Sequence, residues 1–584
     1  MNNILFIDFE TYFDSKQKYD LKNVSICEYV RDPRFKIHGF AYCSGNGIPK
    51  WETDLEFFRD DFSDTAIAAH NIKFDGFILT EKFGIKPMMW IDTKGMSKAV
   101  LGKTVKGHSL RALAEHFGLE SKGFLNSNGI LNLSAEQEKE LSEYCIHDVD
   151  LCRQIFNKLE PFFPYNQYGI MDWTIQAFVE PKLDLNVKLL EETTESEKKK
   201  KETVFNRIGI PKDVFSSNAK FAKLLQSSGY EIPTKTSIRT NKKIPALALG
   251  DIEFIEMKET ENEELKKLIE ARIAAKSTLL ETRSANLAEI GKTGKWPFDI
   301  EFSGAQQTHR FSGGNGAGGN PQNFTRNSSL RESVCAPKGF KLLVGDFSNI
   351  ELRLVAYLSK DPGLIQALEN DVDLYCDFAS AFYGRMITKE DKLERQFGKT
   401  AILGLGYGMG PMKFQKTVKL QTGQSITTEE AQKAVNLYRA RYNQVPKMWD
   451  GLQKDIEKLK YSYKLPSGLL LQYPNLRQEG KDWVYDVWKK KTEKESVKLY
   501  GGKILENICQ ALAGELCKKA IENLLFLGYN VVGQVHDEIL VLVKEEDVDV
   551  AIGIVEAAMT KSPDWLPRMV LKCDIKAGDN WGIK

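Results

Sequence analysis

The stretch Lys341–Leu358, KLLVGDFSNIELRLVAYL, constrains this chain more than any other. Leu342, Leu343 and Val344 form a short apolar run that ends in Gly345 and Asp346. That is the pattern of a buried strand closing on a carboxylate. Phe347-Ser348-Asn349 breaks the run, and Ile350, Leu354, Val355 and Leu358 then recur at helical spacing. The spacing predicts a strand, a tight turn and a helix, with Asp346 projecting at the strand end. An aspartate there also serves as a helix cap or turn former, so this stretch alone leaves both readings open.

Other acidic residues sit on comparable patterns. In Gly528–Val543, GYNVVGQVHDEILVLV, the runs Val531–Val535 and Ile539–Val543 flank His536-Asp537-Glu538, which predicts a hairpin with an acidic connection. Ile4–Ile7 runs into Asp8-Phe9-Glu10. Strand alternation puts those two carboxylates on one face, where they repel unless cations sit between them. Ala66–His70 predicts a further strand, followed by Asn71-Ile72-Lys73-Phe74-Asp75. Ala135–Leu159 predicts a long amphipathic helix on which Tyr144 and Asp148, four apart, share a face.

At 584 residues the chain holds several domains, roughly three to five on a length prior. Hydrophobic content of 42% and charged content of 28% are those of a soluble globular protein. A formal net charge of +1 means that attraction to a polyanion must come from local basic surfaces. The nine cysteines show no paired metal-ligand spacing, which fits reduced thiols in a cytosolic chain. No run approaches the ~20 apolar residues of a membrane span. The N-terminal MNNILFIDFETYF carries acids inside its apolar run, so it reads as neither signal nor transit peptide.

Asp346-Phe347-Ser348-Asn349-Ile350-Glu351-Leu352-Arg353, together with the His536-Asp537-Glu538 hairpin, resembles the two metal-binding motifs of the family A DNA polymerases. The family's first motif reads Asp-Tyr-Ser-Gln-Ile-Glu-Leu-Arg, so Phe and Asn here replace Tyr and Gln. Asp-x-Glu at Asp8 and Glu10, then Asp75, then Tyr144-x3-Asp148 resembles in its order a proofreading 3′–5′ exonuclease of the DEDD class, Tyr subtype. The fold implied is an α/β and α+β chain: an RNase H-like exonuclease domain, then a right hand of thumb, palm and fingers. The implied boundaries are 1–165 for the exonuclease, 166–300 for a linker and helical thumb, 301–384 and 456–584 for the palm, and 385–455 for the fingers. Residues 161–185, mixed and Pro-containing, suit a domain junction.

By that resemblance Asp8, Glu10, Asp75 and Asp148 hold two divalent metals and Tyr144 orients the attacking water. Asp346 and Asp537 hold two more, with Glu538 in support. Hard oxygen ligands favour Mg²⁺ or Mn²⁺. Glu351 is the steric gate against a ribose hydroxyl, and His536 lies near the primer terminus. Thr388–Gly408 predicts a helix on which Arg395, Lys399 and Leu403 share a face, two cations without acidic partners. It resembles the family's fingers helix. Arg395 and Lys399 would bind the triphosphate, Lys399 would protonate the pyrophosphate, and Tyr407 would pack near the templating base. Leu403 stands where an aromatic residue is common, and Tyr375 where a histidine reaches the triphosphate.

Thr308-His309-Arg310-Phe311-Ser312 and Asn320-Pro321-Gln322-Asn323 flank the glycine-rich loop Gly313–Gly319. Arg310, Gln322 and Asn323, and more loosely Asn320, match primer- and template-contacting positions. His309 stands where the family more often has glycine. Tyr500–Gly514 resembles a segment of phage and mitochondrial relatives, with Gln510 at a minor-groove position. Phe215–Ser237, ending in Pro233-Thr234-Lys235-Thr236, and a long helix over Glu261–Ile290 resemble the thumb. The run Lys198–Lys201 reads as a solvated helix face.

The resemblance implies primer–template DNA and deoxynucleoside triphosphates as partners and two-metal phosphoryl transfer as the reaction. A processivity factor or a helicase–primase is the further partner class, no membrane is involved, and the setting is cytoplasmic, that of a bacterial host for a phage enzyme. The 5′ nuclease of bacterial DNA polymerase I has no counterpart ahead of Asp8. Three rivals remain beside this reading: a single-subunit RNA polymerase or reverse transcriptase, a DNA-end-binding structural factor with dead sites, and an exonuclease whose palm only binds. The intact carboxylates, Glu351 and the Arg395–Lys399 helix weigh against them.

Overall fold

In a computed structural model the described residues are 3–583, except 124, 126, 238–241, 259, 315, 460, 461, 491 and 492. Position 315, inside the glycine-rich loop, therefore lies outside them. The described chain divides into two compact units. One comprises Met1–Leu185, Glu289–Asn370 and Tyr442–Lys584; the other comprises Asn186–Ala288 and Asp371–Arg441.

In the first unit the N-terminal region is a five-stranded mixed sheet. Its strands are β1 (Ile4–Thr11), β2 (Ile37–Ser44), β3 (Lys50–Glu52), β4 (Ala66–Ala69) and β5 (Met89–Asp92), in spatial order β3-β2-β1-β4-β5. β1 is central, antiparallel to β2 and parallel to β4. Helix α1 (Lys73–Phe83) follows β4. Helix α2 (Ala135–Leu159), opened by a Ser134–Gln137 capping box, crosses β1 and β2. The apolar face of α2, including Leu141, Cys145, Cys152 and Phe156, is buried against the sheet, so Asp148 arrives beside β1.

The first segment of this unit ends at Leu185, at the close of the Pro-containing stretch 161–185. That stretch holds helix α3 (Tyr168–Val179), largely buried against α1, β5 and β6 (Ile300–Ala305). Asp172 on α3 accepts the backbone N–H of Trp90 at 2.8 Å. Lys73 pairs with Asp299 at 2.6 Å and Lys98 with Glu301 at 2.7 Å, tying α1 and the helix Thr93–Leu101 to the chain entering and forming β6.

The second sheet of this unit is antiparallel. Together with β7 (Arg310–Gly313), which pairs with β6, the chain supplies β8 (Phe340–Phe347), β9 (Asn530–Val535), β10 (Glu538–Lys544) and β11 (Cys573–Gly578). The sheet order is β9-β10-β8-β11. After β8 the chain turns at Asn349, whose φ of 54° lies in the left-handed region, and enters helix α4 (Ile350–Ser359). Helices α5 (Gly501–Phe526) and α6 (Val548–Thr560) pack on the sheet. A Cβ on Gly345 would fall 2.5 Å from Met559 Sδ of α6, so Gly345 faces that helix. Alternation along β8 therefore turns Asp346 to the opposite face.

The second unit is mostly helical. Its cluster around Phe215, Phe221, Leu225, Leu247, Phe254 and Ile269 forms one core. The single helix expected over Glu261–Ile290 is two, Glu263–Lys276 and Leu279–Thr293, parted at Ser277-Thr278. Nor is the Lys198–Lys201 run wholly solvated: Lys201 is buried and pairs with Glu281 at 2.6 Å. The fingers-type helix spans Lys392–Leu405, starting four residues later than its sequence pattern because Asp391 folds back to accept the backbone N–H of Thr388 at 2.8 Å. It packs against the helix Leu374–Tyr383 at Gly398, where a Cβ would meet the Tyr375 carbonyl oxygen at 2.0 Å. Among the described residues no helix is long and apolar enough to cross a membrane.

Candidate active sites

Two carboxylate clusters stand in the first unit. In the N-terminal one, Asp8 and Glu10 project from the central strand β1, and their carboxylate oxygens and Cys145 Sγ all lie within 4.8 Å of one another. Asp75, on the first turn of α1, accepts the backbone N–H of Phe9 at 3.0 Å. Asp148 comes from α2. Burial raises the Asp8 carboxyl to about 7, with the Asp148 charge adding to it. Glu10 and Asp75 are pushed well above the carboxylate range by burial, then by Asp8. Burial raises Asp148 as well, opposed by Lys122.

Four acids crowded out of water resist ionisation unless positive charge is supplied. Part of it comes from Lys122, whose ammonium donates to Asp148 and lies 5.0 Å from the Tyr144 ring. The other Asp148 oxygen, Oδ1, is buried with no hydrogen-bond partner. Oxygen donors, mutual repulsion and an orphaned carboxylate oxygen fit hard divalent cations.

The second cluster is at one end of the antiparallel sheet. Asp346 sits in register between Glu538 on β10 and Asp574 on β11. The Phe347 N–H donates to the Asp537 carbonyl at 3.1 Å, which fastens the strand end to the hairpin connection. His536 takes a φ of 56° at that turn. Burial, then the Asp537 charge, raises the Asp346 carboxyl to about 6, and burial raises Asp537. Arg326 reaches Asp346 at 2.9 Å and Glu538 at 3.2 Å, so a cation already bridges the two acids. Asp346 Oδ1 is buried without a partner. These donors too fit hard divalent cations.

Around this cluster several expected residues converge. Glu351, on the first turn of α4, receives Arg310 Nη1 at 3.1 Å. Gln322 accepts the His536 N–H at 2.9 Å, its carbonyl lies 3.0 Å from His536 Nε2, and its side-chain amide donates to the Gln534 carbonyl at 3.2 Å. Asn320 is engaged locally: it caps the turn Pro321–Asn323 and donates to the Gly313 carbonyl at 3.1 Å. Asn323 is exposed, and Gln510, half-buried on α5, donates to Glu506 at 3.4 Å. His309 is buried with φ 54°, which is why glycine suits that position; its ring pairs with the Leu470 carbonyl at 2.9 Å.

The second unit carries the remaining expected residues. Arg395 and Lys399 share a face of the helix Lys392–Leu405, and Lys399 is exposed. Contrary to the expectation of two unpaired cations, Arg395 Nε donates to Asp373 at 2.9 Å and its guanidinium lies 5.4 Å from the Tyr375 ring. Asp373 caps the helix bearing Tyr375, so the tyrosine is buried beneath the arginine. Leu403 and Tyr407 are half-buried at the helix end and the turn after it.

Sequence reasoning missed Lys122, Cys145, Arg326 and Arg331. Arg331 Nη1 donates to both Glu538 oxygens, at 2.9 and 2.8 Å. None of the four sits at a spacing that signals its partner.

Comparison with known proteins gives the lineage. The family model described as DNA polymerase family A matches residues 188–583. One described as 3′-5′ exonuclease matches residues 51–163; it begins after β1, the strand that carries Asp8 and Glu10. The DNA polymerase of Bacillus phage SP02 is 23% identical, covering 98% of both chains. DNA polymerase I of Pseudomonas aeruginosa is 26% identical over 43% of this chain and 26% of its own length. That of Caldicellulosiruptor bescii is 25% identical over 45% and 29%. The chain thus spans less than a third of those two bacterial relatives. In fold it resembles the POL domain of Pol1 from M. smegmatis, solved with DNA primer-template and dNTP, at a TM-score of 0.68 and 17% identity over 99% of this chain and 95% of that one. With the family model matched over most of its length, the chain belongs to DNA polymerase family A.

Proposed function

We propose that the protein is a DNA-directed DNA polymerase with a 3′–5′ proofreading exonuclease, acting on primer–template DNA and deoxynucleoside triphosphates in the cytoplasm of a bacterial host. The observation that carries this is the pair of carboxylate clusters in one unit, each raised toward neutrality by burial and each already touched by a cationic side chain. Asp346 and Asp537 would hold Mg²⁺ in the palm; Asp8, Glu10, Asp75 and Asp148 would hold it in the exonuclease. Bound there, divalent cations favour an ionised primer 3′ oxygen or hydrolytic water and stabilise the leaving oxygen. The protein's own residues do the rest. Glu538 supports the palm pair, and Tyr144 orients the water in the exonuclease. Lys399 offers a compact positive charge to the triphosphate and Arg395 a planar fork. Gln322 fixes His536 at the turn where the primer end would lie.

Two behaviours follow from particular side chains. Glu351, braced by Arg310, fills the space of a ribose 2′-hydroxyl. Glu351→Ala is expected to raise ribonucleotide incorporation relative to deoxynucleotide by at least about tenfold, the scale on which pocket shape discriminates small groups. An unchanged ratio in single-nucleotide extension removes the gate assignment. Leu403 provides no aromatic ring at the position where the family's aromatic residue accompanies dideoxynucleotide acceptance. At equimolar dideoxy- and deoxynucleotide the enzyme is therefore expected to read through with few stops; a dense termination ladder contradicts this.

The reading as a whole is tested on a 5′-labelled primer annealed to a longer template with Mg²⁺. Extension with four deoxynucleotides and stepwise shortening without them support it. Extension with ribonucleotides alone would reassign the protein to RNA synthesis.

A further inference from the structure

We propose that Arg331, held in place by Trp581, is the residue that positions Glu538 for nucleotide addition, so that the segment around Trp581 is part of the polymerase machinery. This rests on the polymerase reading above. Glu538 opens β10 and is only 5% exposed. A carboxylate at that depth is stable as an anion only when paired and hydrogen-bonded.

Two arginines reach it, and they differ in kind. The Arg326 side chain is 61% exposed and shared with Asp346, so it can leave as metal and substrate arrive. Arg331 is 6% exposed. Besides the two bonds to Glu538, its Nε donates to the Phe324 carbonyl at 2.9 Å. Its guanidinium lies 4.3 Å from the centre of the Trp581 ring, a cation–π contact taken out of water. An arginine fixed on three sides in this way sets the plane of the Glu538 carboxylate.

Trp581 is itself fastened. It is 1% exposed, lies against Phe298 and Phe324 at 5.9 and 6.0 Å between ring centres, and donates its backbone N–H to the Val334 carbonyl at 2.9 Å. The neighbouring Asn580 bridges to Cys335. A cavity of about 390 Å³ brings Arg326, Arg331, Asp346, Glu538 and Trp581 to one wall system, so a shift of the indole is felt at the carboxylates. Arg331 touches none of the reacting atoms in this scheme. Its effect passes through Glu538, as the partners of metal-site residues commonly act.

The test compares Arg331→Lys, Trp581→Leu and Trp581→Phe with the parent protein. Arg331→Lys keeps the charge and loses the fork. Trp581→Leu keeps an apolar side chain and loses the ring. Trp581→Phe keeps a ring under the guanidinium. Primer extension and shortening of a single-stranded oligonucleotide are read on each variant with Asp8 intact, and Mn²⁺ affinity by electron paramagnetic resonance on the same variants carrying Asp8→Ala in addition. For Arg331→Lys and Trp581→Leu we expect extension to fall about 10- to 100-fold and Mn²⁺ affinity to weaken with it, while shortening stays within about twofold. Trp581→Phe should recover most of the extension. Unchanged extension and Mn²⁺ affinity in both variants overturn the proposal. So does a parallel fall of extension and shortening, which marks a merely structural role. A parent protein that never extends a primer would refute the polymerase reading instead.

Discussion

Replacing Asp346 by alanine is expected to lower primer extension by at least about a thousandfold, about 4 kcal/mol of lost transition-state stabilisation, and to leave 3′ shortening at the parent rate. The reason is positional. Asp346 ends a strand that is central in its sheet, flanked in register by Glu538 and Asp574 and bonded through Phe347 to the Asp537 turn. No other carboxylate in that row belongs to β8, so none can take its place without moving the sheet. Asp8, Glu10, Asp75 and Asp148 lie on a different sheet and helices. The fold should survive the change, because the lost group is an acid already raised toward neutrality by burial and by Asp537. Residual extension within tenfold of the parent would remove Asp346 from the chemistry.

Asp8→Ala is the mirror experiment. We expect 3′ shortening to fall by a similar factor, about a thousandfold, with extension retained. Asp8 interacts electrostatically with each of the other three acids. Asp148 raises it, it raises both Glu10 and Asp75, and Cys145 donates to it. Removing one of four crowded carboxylates relieves repulsion that the fold otherwise bears. In the absence of divalent cations the variant should therefore melt no lower than the parent, a pattern expected where a site is built for function rather than stability. Loss of both activities with a lowered melting temperature would mean that Asp8 is structural.

The elements that carry these acids were legible because each has a strong local signature. Helix α2 was readable to its ends from its amphipathic periodicity, and β8 and the β9–β10 hairpin from short apolar runs broken by polar turns. The counter-charges were not legible. Arg331 lies 207 residues from Glu538 along the chain, and Lys122 lies 26 from Asp148 in a segment without periodicity. Pairings of that kind are set by tertiary packing, which spacing does not encode. Helix α3 was missed because it is apolar on nearly all sides, as a buried helix is, so no stripe marks it. The break at Ser277-Thr278 has no proline or glycine to announce it. Arg395 seemed unpaired because its partner Asp373 caps a different helix, 22 residues earlier.

On the proposed reading, one chain holds two separate carboxylate sites, one that adds nucleotides and one that removes them. This is tested most directly by giving the Asp346→Ala and Asp8→Ala proteins the same labelled primer–template and Mg²⁺, with and without deoxynucleotides, and following primer length over time. Shortening alone is expected from the first protein and extension alone from the second. Both proteins losing the same activity, or each losing both, would contradict that reading.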